Sequence, residues 1–303
     1  MNKENQPLVS IITLNWNQTE VTCEFLESSR NLTYKNYEIL VCDMNSDINP
    51  ASKIQSFNFP NTKVLISDKN LGFAAGNNWG MKQARGDYFF IVNNDTELNP
   101  SLIEQLLEPF SCDPKIGVTC PKILYYHNPG IIQYAGFNKM NMLTGRTTSV
   151  GGGQKDEGQF NISGITNGAH GCAMLVKRDV AEKAGMFPSR FFLYYEEWDW
   201  SMRIINAGYK IFYQANAFIL HKESLSVGKE SLLKLYYLNR NRILFMRRNC
   251  NTFQLIGFIG FYALATFPKM VVQYLVKGKI KALKTYLKAV AWNFKNSSFS
   301  ELS

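Results

Sequence analysis

Eight polar side chains stand where apolar runs end: Asn15, Asp43, Asn93, Asp95, Glu196, Glu197, Asp199 and His221. Carboxylates, amides and an imidazole at such positions can hold a hard cation, bond a sugar or a base, or take up a proton. The densest instance is residues 70–98, NLGFAAGNNWGMKQARGDYFFIVNNDTEL. There a Gly-punctuated polar loop leads into the apolar run Tyr88–Val92 and then directly to Asn93, Asn94 and Asp95. In open α/β sheets ligands bind outside the carboxyl ends of strands, so the segment marks a site for a metal, a sugar or a nucleotide.

The elements that must position these groups alternate. Residues 9–14, 37–42, 63–66 and 88–92 are short apolar or β-branched runs that read as buried strands. Between them, residues 20–30 and 72–84 carry helical spacing, so a parallel sheet with helices on both faces is expected. A helix over 101–110 and a strand over 117–126 follow. Residues 128–168 are rich in Gly, Asn, Thr and Ser, which predicts a mobile or substrate-facing loop. Residues 196–207 then form a helix stopped by Gly208, and 209–220 run as one or two strands up to His221. His127 and His170 lack comparable context and read as structural or loop residues.

Basic residues exceed acidic ones by nine, and the excess falls late, at Arg240, Arg242, Arg247, Arg248 and then Lys277, Lys279, Lys281, Lys284 and Lys288. Such clustering suits a polyanionic surface. The six cysteines form no CxxC pair and read as reduced core residues, which fits a cytoplasmic location. The N-terminus lacks the apolar stretch of a cleaved signal peptide. No GxGxxG follows the first strand, and GxxxxGK[ST], GxSxG and HExxH are absent. Dinucleotide oxidoreductases, P-loop enzymes, serine hydrolases and zincins are thereby disfavoured.

The ordered set VSIITLNWN, NLGFAAGNNWG, NNDTEL, FFLYYEEWDWSMRIINAGYKI and His221 resembles an inverting glycosyltransferase of family 2 with the GT-A fold. The likeness runs from about residue 8 to about residue 249 and is nearest to the rhamnosyltransferase-like branch, where a Tyr-Tyr…Arg-Asn-Arg segment also recurs. It implies an α/β fold with a mostly parallel central sheet, helices on both faces and a C-terminal helical extension. Asp95 resembles the last carboxylate of the family's DxD motif, which binds a cation on the donor diphosphate; Asn93 and Asn94 replace the preceding acids. His221 resembles the distal metal ligand, so Mn²⁺ or Mg²⁺ is the implied cofactor. Asp43 matches the aspartate that bonds the nucleotide base, with Thr13, Asn15 and Asn70 as neighbours in the base and ribose pocket. Glu197 matches the second acid of the Glu-Asp motif and is the implied base. Glu196 is the alternative base, and Glu196, Trp198 and Asp199 are candidates for acceptor contact or for supporting the site.

The resemblance further implies a dTDP- or UDP-sugar donor, rhamnose or another hexose, and a glycan or lipid-linked oligosaccharide acceptor in surface polysaccharide synthesis. A non-catalytic nucleotide-sugar or glycan-binding module is the competing class. A catalytic domain is expected over 1–227, with a nucleotide-sugar half (1–100) and an acceptor half (101–227). Residues 228–303 form a basic, apolar helical extension. Residues 253–276 are strongly apolar but carry Pro268-Lys269, which leaves about 16 residues before the break, short of the roughly 20 that span a bilayer. A peripheral anchor on the cytoplasmic membrane face is the first reading and a homodimer surface the second. Nucleic-acid binding explains neither the carboxylates nor the Gly-rich loop.

Overall fold

The computed structural model describes residues 6–223 and 231–297. Ten strands form one sheet: β1 (Val9–Asn15), β2 (Tyr37–Asp43), β3 (Thr62–Ile66), β4 (Tyr88–Val92), β5 (Thr96–Leu98), β6 (Ile116–Tyr125), β7 (Asn128–Tyr134), β8 (Gly164–Thr166), β9 (Ala173–Lys177) and β10 (Lys210–His221). The helices are α1 (Thr19–Ser29), α2 (Ala51–Ser56), α3 (Gly72–Gln83), α4 (Leu102–Leu107), α5 (Pro109–Cys112), α6 (Arg178–Ala184), α7 (Glu196–Asn206), α8 (Leu232–Asn249), α9 (Thr252–Phe261), α10 (Phe267–Val276) and α11 (Ile280–Lys295). The helix expected over 101–110 is divided at Pro109, which supplies no N–H to continue the first helix.

The strand order is β3-β2-β1-β4-β9-β6-β10-β5, with β7 beside β6 and β8 beside β10. The half β3-β2-β1-β4 is parallel, and all seven residues of β2 are buried, as a strand covered on both faces requires. β9 enters antiparallel between β4 and β6, so the second half is mixed. Register levels the strand ends: Asn15 pairs with Asp43, and His221 pairs with both Thr96 and Tyr125. α3 approaches β1 and β2 closely because Gly80 lacks a Cβ, which would meet Ile12 Cγ2 at 2.6 Å and Cys42 Sγ at 2.9 Å.

Two expectations are corrected. Residues 128–168 are a folded arm: β7, β8 and the bridges Ile131–Lys155, Phe137–Ser149 and Asn141–Arg146 organise the chain. Its polar residues are spent on internal bonds; the Thr166 hydroxyl accepts from the Phe137 amide at 2.7 Å, and Lys122 pairs with Asp156 at 2.8 Å. Pro268 does not break the apolar segment either, because Thr252–Val276 is one helical run of 25 residues. A π-helical turn at Tyr262–Thr266 widens the helix just before the proline, and the Phe267 amide reaches back five residues to the Tyr262 carbonyl. Such a turn accommodates the ring that an α-helix would clash with. The run is therefore long and apolar enough to cross a membrane, and its side chains are mostly exposed, Phe253 (87%) and Leu264 (84%) most of all. The expected domain boundary near Gly228 lies outside the described residues.

Candidate active site

A cleft of about 520 Å³ opens at the carboxyl ends of β1 and β4 and the end of β10. Its wall includes Asn15, Asn70, Asn93, Asp95, Glu196, Glu197 and His221, so seven of the expected residues share one cavity. Asp95 and His221 meet because Thr96 pairs with His221 across β5 and β10. Asp95 Oδ1 and His221 Nε2 are 3.1 Å apart and both buried, yet neither atom completes a hydrogen bond. Gln133 Oε1 lies 2.7 Å from His221 Nδ1 and fixes the ring. Burial opposes charge on this imidazole, but the neighbouring Cys172 and Asp95 side chains raise its pKa above the ordinary histidine range.

This pair fits a divalent cation. Two neighbouring ligands of an octahedral ion with bonds of about 2.1 Å lie about 3.0 Å apart, close to the observed separation. One hard oxygen and one imidazole nitrogen suit Mn²⁺ or Mg²⁺, with remaining positions left for phosphate oxygens and water. No third His, Cys, Asp or Glu completes a metal cluster among the described residues.

The two glutamates arrive on a contorted segment. Phe192, Tyr194 and Tyr195 have φ of 63°, 69° and 73°, a left-handed region that costs non-glycine residues energy. Asn241 on α8 offsets this cost, its Nδ2 sharing two N–H donors among the carbonyls of Phe191, Leu193 and Tyr194 at 2.9, 2.7 and 2.8 Å. Arg240 adds bonds to the carbonyls of Arg190 and Phe191. The preceding loop is clamped to α3, where the Phe73 amide donates to the Phe192 carbonyl at 2.7 Å. The segment thus delivers Glu196 and Glu197 at the first turn of α7, each with one buried carboxylate oxygen lacking a partner. Burial pushes the Glu197 pKa above the carboxylate range, against the pull of the Tyr195 and Glu197 amides. Burial and the charge of Glu197 raise that of Glu196 as well. A carboxylate held this way takes a proton more readily than one in water.

Asp43, Thr13, Trp198 and Asp199 are absent from the cleft wall. Asp43 is buried behind Asn15 and accepts from Asn15 Nδ2 at 2.6 Å, the Ser46 amide at 2.9 Å and the Ser46 hydroxyl at 2.6 Å. Thr13 is buried on β1 with an unpartnered hydroxyl and is absent from the cleft wall. Asn70 caps the Gly72 amide at 2.9 Å. Trp198 packs on Phe137 with ring centres 4.7 Å apart. Asp199 is fully buried and ties α7 to α8, accepting from Arg203 Nε at 3.1 Å, Arg248 Nε at 2.7 Å and Asn249 Nδ2 at 3.1 Å. Neither Trp198 nor Asp199 lines the cleft.

Several lining residues escaped sequence reasoning: Trp16, Cys172, Phe192, Tyr194, Lys234 and Tyr237. His170 also lines the cleft, stacked on Phe137 and held neutral by burial, which lowers its pKa to about 3. The Tyr-Tyr…Arg-Asn-Arg segment was the one usable signal, because it contains Tyr237, Arg240 and Asn241.

A model of the family described as "Glycosyl transferase family 2" matches residues 10–185. The match includes Asp95 and stops short of Glu197 and His221. The chain is 24% identical over 245 residues to an N-acetylglucosaminyl-diphospho-decaprenol L-rhamnosyltransferase of Mycobacterium tuberculosis, covering 73% of this chain and 78% of that one. Among solved structures it resembles the mannosyltransferase PcManGT from Pyrobaculum calidifontis, in complex with GDP-Man and Mn²⁺, with TM-score 0.57 and 15% identity over 97% of this chain and 76% of that one. It also resembles GalNAc-T7 with UDP, GalNAc and Mn²⁺, with TM-score 0.61 and 16% identity over 80% of this chain and 52% of that one. With more than half its length matched by the family model, the chain belongs to glycosyl transferase family 2 and has the GT-A fold.

Proposed function

We propose that this protein transfers a sugar, rhamnose or another hexose, from a dTDP- or UDP-sugar to a hydroxyl of a lipid-linked oligosaccharide or glycan, with inversion, in surface polysaccharide synthesis. The carrying observation is that Glu197, half-buried with one carboxylate oxygen buried and unpartnered, shares one cleft with the unsatisfied pair Asp95 and His221. Residues 1–100 would bind the donor and 101–227 the acceptor, and the extension from 228 would bring the enzyme to the cytoplasmic membrane face. The exposed apolar run Thr252–Val276 and the lysines after it support that placement. The acceptor class follows the name of the mycobacterial relative.

In this reading Asn15 and Asn70 form the base and ribose end of the cleft, Asp43 holds Asn15 from behind, and Asn93 borders the diphosphate. Asp95 and His221 would hold Mn²⁺ or Mg²⁺, which would supply positive charge to the departing nucleoside diphosphate. Glu197 takes the proton of the acceptor hydroxyl as its oxygen attacks the anomeric carbon from the face opposite the leaving group. Its elevated pKa makes it a stronger base once deprotonated, and its low-polarity surroundings strengthen the charge interactions around it. Glu196 shapes the field beside it.

The test is product formation from labelled UDP- and dTDP-sugars with a polyprenyl-diphosphate-linked N-acetylglucosamine acceptor, with Mn²⁺ and with chelator. Transfer that requires the metal supports the reading. Nucleotide-sugar binding without transfer to any acceptor in the panel would favour a binding module.

A further inference from the structure

A second cavity, of about 820 Å³, lies against α8 on the side away from the cleft. Its apolar wall comprises Leu232, Leu235 and Leu238 of α8 with Tyr274, Ile280 and Ala282 from α10 and α11. Lys234, Lys279 and Lys281 stand at it, and no acidic side chain is among the described residues that line it. The two cavities share one helical wall. Leu233 and Tyr237, four residues apart and so on one face, line the cleft, whereas Leu232, Leu235 and Asn239 turn to the groove. Lys234 lies on the boundary and lines both. Its Nζ sits 6.0 Å from the centre of the Tyr194 ring, two residues before Glu196. Next to the groove, Val272, Leu275 and Val276 of α10 expose apolar side chains.

An apolar trough with Lys234 and Lys281 at its rim and no acidic side chain among the described lining residues matches an amphiphile with an anionic head. A free phosphate leaves the leucines unused, and a neutral lipid leaves Lys234 unused. We infer that the groove is the acceptor's lipid subsite: it takes the first isoprene units of a polyprenyl diphosphate, whose phosphates pair with Lys234 at the shared rim. The attached sugar then hangs over that rim into the cleft, with its hydroxyl towards Glu197. This rests on the transfer reading above and adds where the acceptor enters: around the first two turns of α8, from the apolar side of α10.

The experiment compares N-acetylglucosaminyl-diphospho-decaprenol with the same head group on a two-isoprene chain, using the full-length protein in detergent micelles. Leu235→Trp, which fills the groove, should raise the KM ratio of long to short chain by about tenfold, the factor that about 1.4 kcal/mol supplies. Lys234→Gln should raise KM for both acceptors. A ratio unmoved by Leu235→Trp overturns the inference. A second measurement needs no turnover: a decaprenyl diphosphate with a photoreactive group on its first isoprene should crosslink to residues 232–239 and 278–282. Crosslinks confined to 253–264 would indicate bulk lipid contact only and would also overturn it. Failure of wild-type transfer beside crosslinks in the groove would instead count against the enzymatic reading alone.

Discussion

Replacing Asn241 by alanine isolates what holds the proposed base, Glu197, in place. The side chain is fully buried, and its two N–H donors are shared among three carbonyls in a segment containing three left-handed non-glycine residues. At about 1 kcal/mol per donor, the substitution removes about 2 kcal/mol from the folded state. Each left-handed residue stores of order 1–3 kcal/mol, so the segment has a strong incentive to relax once released. For a chain of this size the destabilisation corresponds to a fall in melting temperature of about 4–8 °C. Relaxation displaces Glu197, and a misplacement of about 1 Å at a reacting group costs of order 10²-fold in rate. The side chains proposed to bind the donor, at the ends of β1, β4 and β10, make no bond to Asn241, so kcat should fall about 10²-fold while nucleotide affinity stays within about threefold. The assay pairs saturating single-turnover transfer with titration calorimetry of UDP or dTDP, and hydrogen exchange follows the amides of residues 191–197. The reasoning is refuted if kcat stays within about twofold of wild type or if exchange of that segment is unaltered.

Glu197→Gln should abolish transfer, by about 10²- to 10⁴-fold, and spare donor binding; turnover near wild type would move the base to another group. The wild-type rate should rise with pH along an acidic limb lying above 4.5, because the carboxylate must be deprotonated and burial raises its pKa. Glu196→Gln should retain transfer and stabilise the free protein at alkaline pH. A carboxyl whose folded pKa is raised loses stability as pH climbs from its unfolded value towards the folded one, and glutamine removes that loss; thermal melts at pH 5 and pH 8 check it. Asp95→Ala should weaken Mn²⁺-dependent nucleotide binding and leave metal-free binding nearly unchanged, as calorimetry with and without chelator would report. Asp199→Ala should cost about 3 kcal/mol, because it removes the buried carboxylate with which both Arg203 and Arg248 pair; denaturant unfolding measures it, and a loss below about 1 kcal/mol would show that solvent compensates.

Strand ends and helix starts were legible because they are local. Tyr88–Val92 is bounded as the apolar run implied, and α3 ends within a residue of expectation. Even the wall of the cleft could be assembled from polar residues at strand ends. What joins them could not, since Asp95 reaches His221 through the pairing of β5 with β10, a register set by non-local contacts. The antiparallel entry of β9 is hidden for the same reason: a buried strand has a similar apolar run in either direction. Composition misled where polar residues serve structure. The Asn and Thr residues of the 128–168 arm bond one another and its glycines turn the chain, so a sequence that looks like loop is folded. Pro268 misled in the opposite way, because a π-helical turn that no residue type announces absorbs it.

The role of α8 follows from the same distinction between local pattern and tertiary use. Its arginines read from sequence as part of a basic patch for an anionic surface. Arg240 and Arg242 are instead buried, and Arg240 sits over Trp292 of α11 at 4.6 Å while bonding the carbonyls that precede Glu196. Asn293 of α11 donates to the Arg240 carbonyl at 3.0 Å, and Arg247 returns a bond to the Asn293 carbonyl at 2.6 Å. A continuous set of contacts therefore runs from the last helix, through α8, to the segment that aims the two glutamates. The lysines, by contrast, remain on the outside of α10 and α11, beside the exposed apolar side chains. The proposed surface binding and the proposed positioning of Glu197 thus draw on different cations of one helical extension. A truncation after α8 would leave the strand-borne cleft residues in place while removing one buttress of the carboxylates, so loss of activity in such a truncation would not by itself be evidence for a membrane requirement.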